Sequence, residues 1–416
     1  MRRFFQTTTI GRPQFVAAAL LWVFLLQCLW LVGVQARQGA RSNSDQALRI
    51  YLGLQQWKGG AVAGTPDSLR SEAATGVASA GRSGHLRVRD GFDEDRSPLY
   101  YLVAGAPFLT RPAAWTGGLP LWHVLAAAPY LFFGVMLGGS LWYVARRLYG
   151  NAGGYIALML YCFSPAMIVA PAGAQSLGEM GAVWGAFGAV WTAIAVAHTL
   201  YAPREVVLWN WRRILLLGLS MALAAGNQFS LGLVALAALM LMLWVAPVRR
   251  QAVLAIWGTA LGVAIAIVFA SYFFHPALFW QGIRHARWLD LDPHALAASV
   301  AYRHSLQTIL SGSPAMTLAL PVALVAFAAW KRTRYFGNLA PLGIAVSLIV
   351  LGIGAASFPG EGFHLTALVF LFVFVAGVFA DLIETRHRLI VMAALIGLLT
   401  ASAVWNLIAL WRAARP

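Results

Sequence analysis

Acidic residues are scarce in this sequence: fourteen Asp and Glu in 416 residues, against thirty Lys and Arg. Charged residues of every kind make up only 11 % of the chain, and apolar ones 60 %. That balance excludes an ordinary soluble globular domain. There are two cysteines, Cys28 and Cys162, both inside apolar runs, which excludes a disulfide framework and a thiolate metal site. The formal charge of +16 does not gather into a patch. Its arginines stand in twos and threes between apolar runs, the pattern that orients membrane helices, so no nucleic-acid partner is expected.

What is there is a series of long apolar runs. The first, 13–36, follows Arg2, Arg3 and Arg12 and exceeds twenty residues, enough to cross about 30 Å of hydrocarbon. It ends like a secretory signal, in Val-Gln-Ala, but its length favours a retained first helix. Further runs lie at 119–145, 153–171, 178–200, 214–227, 230–247, 252–274, 314–330, 338–357, 364–383 and 389–411. The fold class expected is therefore an all-α polytopic membrane protein of eleven or so transmembrane helices, one domain over 1–416. Between 214 and 247, Gly226-Asn227-Gln228 leaves open one broken span or two short ones.

With the N-terminus cytoplasmic, the inner segments hold fifteen basic residues, and the short outer turns at 172–177, 226–229 and 358–363 hold none. This orientation places two long loops outside. The first, 37–118, precedes helices 2–7 (119–274), and the second, 275–313, precedes helices 8–11 (314–411). The expected location is the plasma (inner) membrane, multi-pass, with the functional side facing the periplasm or exterior.

Half of the acids, seven of fourteen, fall in the first outer loop. Within it, Ala47, Ile50, Leu54 and Trp57 recur at helical spacing, with Asp45, Arg49 and Gln56 on the other side. That pattern predicts a helix over 45–58 lying along the membrane surface, its apolar side down. Residues 59–97 are rich in Gly, Ala, Ser and Arg and read as a flexible insertion. Residues 98–110 are apolar but short, which suits an interfacial or re-entrant segment.

Several stretches together carry a resemblance. They are SDQALRIYLGLQQW at 44–57, SPLYYLVAGAPF at 97–108, and the run from Arg147 through Ser164-Pro165, followed by Ser176-Leu-Gly-Glu179. In order and spacing over roughly residues 10–250 they resemble the GT-C membrane glycosyltransferases, including protein O-mannosyltransferase-like and aminoarabinose transferase-like enzymes. Three departures stand out. The paired acid after the first span is here Asp45-Gln46, the Pro-Pro element is Ser97-Pro98, and Gly362-Phe363-His364-Leu365 replaces a late Arg/His-Tyr element.

The resemblance implies transfer of a sugar from a polyprenyl-phosphate-linked donor to a lipid, glycan or protein acceptor. Such chemistry requires a carboxylate to activate the acceptor hydroxyl and cations to hold the departing phosphate. Asp45 is the expected general base, although an acid in a first helical turn also suits the helix dipole. Glu179 matches the second acidic position, and Ser176-Leu-Gly-Glu179 equally spells a capping box. Arg284, Arg287 and Arg303, with His285 among them, are candidates for the donor phosphate, against plain lipid-headgroup contact. Asp93, Glu94 and Asp95 beside Arg96 read as a solvated loop, an acceptor-binding element or a divalent-metal site. Asp95, Arg96, Tyr100, Tyr101, Glu361 and His364 are the expected pocket residues. His275, His285, His294 and His304 are nine to ten apart, which is no metal-ligand spacing, so no zinc is expected. The rival readings are a transporter, an envelope-assembly scaffold, or an inactive homologue.

Overall fold

The computed structural model describes residues 12–37, 44–58, 88–89, 92–111, 120–172, 179–201, 211–289, 291–330, 336–355, 361–385 and 388–413. Most of the 59–97 insertion, and of the turns expected outside at 172–177 and 358–363 the residues 173–177 and 358–360, lie outside the described residues.

Nearly all of the described chain is helix, as apolar backbone in hydrocarbon requires, since every peptide group must be paired within its own segment. In chain order the helices are α1 (Arg12–Arg37), α2 (Ser44–Trp57), α3 (Pro98–Leu109), α4 (Pro120–Cys162), α5 (Pro165–Ala172), α6 (Met180–Thr199) and α7 (Trp211–Asn227). They continue as α8 (Val234–Val245), α9 (Arg250–Ser271), α10 (Pro276–His285), α11 (Pro293–Ala297), α12 (Ser299–Gly312), α13 (Met316–Ala329), α14 (Phe336–Gly354), α15 (Glu361–Ile383) and α16 (Arg388–Ala413). Among the described residues the sole sheet is a hairpin of two short strands, β1 (Val88–Arg89) and β2 (Phe92–Asp93).

Each of the eleven expected apolar runs has a helix at its place. Among the described residues seven helices, not the eleven or so expected, are long and apolar enough to cross a membrane, and an eighth arises if α12 and α13, bent by 113°, are one broken span. The runs 119–145 and 153–171 meet in α4, which breaks at Gly150, a glycine with φ 75°. The 214–247 run resolves into two helices rather than one. α6 and α15 form the centre, each with 83 % of its apolar window buried, and each begins with or just after a glutamate, Glu179 or Glu361.

α7 and the helix after it are short. A 3-10 turn of five residues, Phe229–Leu233, leads into the twelve of α8. That gives a rise of about 28 Å, whereas the 22 residues of neighbouring α9 rise about 33 Å. α8 and α9 leave the same turn at Ala246–Arg249 and pack together, Trp257 Nε1 donating to Ala235 O at 2.8 Å. The 226–229 turn is therefore sunk by about one helical turn below the end of α9. This notch positions the site.

α2 lies across α3 with backbones almost touching. A Cβ on Gly53 would overlap the Tyr101 carbonyl oxygen, and one on Gly105 would meet Gly53. Trp57 Nε1 donates to Leu102 O at 2.9 Å and pins the far end. Gly53→Ala is expected to force the two helices apart and cost about 1–3 kcal/mol, read as a lowered melting temperature in detergent. An unchanged melting temperature would show the pair to be loosely packed.

The facing of α2 differs from the sequence expectation. Gln46, Arg49, Ile50, Gly53 and Gln56 form its buried face, while Trp57 is 43 % exposed. Of the expected apolar side, Ala47, Ile50 and Leu54 do pack inward, against Ala104, Phe108 and Trp122, and the polar Gln46, Arg49 and Gln56 are buried beside them rather than turned outward.

Candidate functional site

The notch between α7 and α8 is filled by the residues before α3. Ser97 donates to the Gly226 carbonyl twice, from its N at 3.0 Å and from its Oγ at 2.8 Å. Phe229 N donates to Asp95 O at 2.9 Å, and Arg287 N donates to Glu94 O at 2.7 Å. Ser97 also caps α3, its Oγ accepting from Leu99 N. Drawn down in this way, Asp95 and Arg96 are only 3 % and 5 % exposed. The solvated-loop reading of this run thus fails at Asp95, because the carbonyls of Glu94 and Asp95 are engaged by Arg287 and Phe229 and the Asp95 amide by Asp93.

Arg96 lies over the face of Tyr100, 4.7 Å from the ring centroid, within the range of a cation–π contact. The Tyr100 hydroxyl accepts from Arg49 Nη1 at 2.8 Å. Tyr101 donates to Asp93 Oδ2 at 2.5 Å, and Asp93 Oδ1 accepts from Asp95 N at 2.9 Å. Burial would weaken the Arg96 charge, but Tyr100, Asp93, Tyr101 and Glu179 outweigh it and hold the guanidinium firmly protonated. Burial raises the Asp93 carboxyl above its ordinary range, against the opposing pull of Arg96, the Tyr101 hydroxyl and the amides of Asp95 and Arg96.

That rise has a sign. A carboxyl whose folded pKa exceeds its unfolded value favours folding below the unfolded value, and this contribution is lost as pH rises through the folded pKa. Asp93→Asn is therefore expected to flatten the fall in melting temperature that wild type shows above about pH 4. Parallel profiles for variant and wild type would contradict it.

Glu179 is 4 % exposed and close enough to Arg96 to act on its charge. Ser176 lies outside the described residues, but Glu179 itself stands at the N-cap of α6 in helical geometry and makes no capping bond. The capping-box reading, which needs Ser176, falls on residues outside the described ones.

The remaining expected residues are distributed around this centre. Asp45 is in the first turn of α2, one turn before Arg49, and its side chain lies outside the described residues. Glu361 opens α15, its side chain likewise outside them. His364, one turn further on, shares a 2.6 Å hydrogen bond between Nε2 and Ser305 Oγ of α12. Gly362 packs against the Gln228 side chain, which brings the start of α15 to the same notch. Arg284 is exposed at the end of α10, which packs on the hairpin, and Arg287 is half-buried beside Glu94. Arg303 is exposed on α12, a helix that packs on α14 and α15. Among the described residues, no three His, Cys, Asp or Glu groups gather to hold a metal ion. Both Asp93 oxygens already accept hydrogen bonds, so no divalent ion is assigned there.

Two residues that the sequence reading passed over belong here. Arg49 had been placed on the outward side of α2, and Asp93 had no role apart from its acidic run. For Arg49 a signal existed: Gln46, Arg49 and Gln56 share one helical face, and a polar stripe on a membrane-surface helix has reason to face a polar pocket. For the Asp93–Tyr101 pair no local signal exists.

The polar groups thus collect at one end of the bundle, where the residues before α3, α8 and α11 meet the first residues of α6 and α15. Tyr149 donates to Gly337 O, and Asn338 Nδ2 donates to Asp381 Oδ2, at the ends of other helix connections. Neither a protein-family model nor a curated protein matches the sequence. The fold, however, is an all-α polytopic one shared with solved structures of low sequence identity. The chain is similar to ArnT from Cupriavidus metallidurans bound to undecaprenyl phosphate, with a TM-score of 0.59 at 13 % identity over 97 % of this chain and 76 % of that one. For ArnT in the apo state the TM-score is 0.51 at 15 % identity, over 77 % of this chain and 56 % of that one. The chain thus spans little more than half of the apo structure's length.

Proposed function

We propose that the chain transfers a sugar from a polyprenyl-phosphate-linked donor to a lipid, glycan or protein acceptor on the extracytoplasmic side of the plasma membrane. The observation that carries this reading is Arg96: a permanently charged guanidinium buried between Asp93 and Glu179 where the loops converge. Burying a cation is costly unless it has partners and a use, and a phosphate leaving group supplies the use.

In the proposed step Asp45 takes the proton of the acceptor hydroxyl as its oxygen bonds to the anomeric carbon. The bond from that carbon to the phosphate oxygen breaks, with inversion, and the phosphate leaves on its lipid. Arg96 meets the phosphate inside, while Arg284 and Arg287 meet it at the rim and Arg303 contacts it from α12. Glu179 holds Arg96 in place, and Asp95, Tyr100, Tyr101, Glu361 and His364 complete the pocket. The prenyl tail remains among membrane lipids.

The test is direct. Protein in liposomes is given labelled polyprenyl-phosphate-linked sugars and an envelope extract as acceptor. Label is expected to leave the donor for an acceptor, with release of free polyprenyl phosphate. Label that stays on every donor in the panel, with protein that still binds polyprenyl phosphate, would overturn the transfer reading.

A further inference from the structure

We infer that Arg49 is a positioning residue, which fixes the Arg96 guanidinium through the phenol of Tyr100. The inference rests on the proposed function, since it takes Arg96 as the cation that meets the donor phosphate.

Two arginines from separate elements converge on one tyrosine. Arg96 precedes α3 and covers the ring face at 4.7 Å, while Arg49 comes from α2 and holds the hydroxyl at 2.8 Å. All three side chains are buried, Tyr100 at 1 % and both arginines at 5 % exposure. Like charges do not gather in this way without a reason. Asp93 and Glu179 balance Arg96, and both guanidinium groups lie against the one Tyr100 ring, Arg96 at 4.7 Å and Arg49 at 5.8 Å from its centroid. Arg49 differs from Arg96 in that its guanidinium is already committed to the Tyr100 hydroxyl.

Arg49 does have a rigid mount. α2 is fixed against α3 by the Gly53–Tyr101 backbone contact and by Trp57 on Leu102 O, so the Arg49–Tyr100 hydrogen bond is set by main-chain packing. Tyrosine has two side-chain torsions and, held at its hydroxyl, presents its face in one orientation. Arginine is long and has many rotamers, and it loses that freedom when its plane is stacked on a fixed ring. On its other side the Arg96 backbone is clamped by Ser97 and Asp95 on the 226–229 turn. The guanidinium is thus aimed from both ends before any ligand arrives, which is the arrangement that orientation-dependent phosphate binding needs.

The probe is polyprenyl phosphate itself, titrated against the full chain in nanodiscs. Arg49→Lys keeps the charge but lacks the planar group, and Tyr100→Phe keeps the ring but lacks the hydroxyl. Each is expected to weaken binding about tenfold. The double variant is expected to bind no more weakly than either single, because both break the same link. Melting temperatures measured in parallel are expected to move little for Tyr100→Phe. Additive losses, or wild-type affinity in both single variants, would overturn the positioning role. Wild-type protein that fails to bind polyprenyl phosphate would instead remove the functional reading on which it rests.

Discussion

Asp45→Asn is expected to lower sugar transfer by about 10²–10⁴-fold while polyprenyl-phosphate binding stays as in wild type. Asparagine has the size of aspartate and its hydrogen-bonding oxygen but cannot take a proton from an acceptor hydroxyl. The residue sits in the first turn of α2, four positions before Arg49, on the helix whose polar face points into the site. The competing structural role gives a different result. An acid that only complements the helix N-terminus contributes about 0.3–1 kcal/mol of stability, and asparagine is itself a good cap. On that account the melting temperature falls slightly and transfer is untouched. Rate, affinity and melting temperature measured on one preparation separate the two, and undiminished transfer removes Asp45 from the mechanism.

Arg96→Met is expected to remove polyprenyl-phosphate binding and to destabilise the protein together. Methionine fills most of the space but leaves the half-buried Asp93 and the buried Glu179 without their cation. Breaking a buried ion pair from one side costs about 3–5 kcal/mol, mostly as the charge left behind. Adding Asp93→Asn to Arg96→Met is therefore expected to restore part of the melting temperature and none of the binding. Arg96→Lys keeps the charge but loses the planar contact with Tyr100, and is expected to fall between wild type and Arg96→Met in affinity. Recovery of binding in the double variant would show that Arg96 only neutralises Asp93 and never meets phosphate.

The fold was legible because hydrophobic length is a global signal. Runs of about twenty apolar residues have one stable form in a bilayer, and the helices lie where those runs lie. Their number was less legible. Breaks such as Gly150 and Gln228 fall in short polar gaps between apolar runs, and nothing local separates a kink from a turn. The site was half legible: Glu179, Arg96 and the Tyr100-Tyr101 pair stand out in sequence as polar or aromatic residues next to spans. How they combine was not, because the contacts are long-range. Ser97 reaches Gly226, and Arg287 reaches Glu94, across well over a hundred positions. The inward turn of Arg49 was missed for a physical reason, since α2 buries the polar Gln46, Arg49 and Gln56 beside its apolar side chains rather than opposite them.

The shortness of the 3-10–α8 segment bears on the bilayer as well as on the protein. A helix rising about 28 Å falls slightly short of an average hydrocarbon layer, and lipid adapts to such a mismatch by thinning at little cost. On the proposed function, such thinning beside the 226–229 turn would bring a lipid carrier's phosphate toward Arg96. Membrane thickness would then be a variable of the reaction, and bilayers of longer acyl chains are expected to weaken donor engagement without any change in the residues.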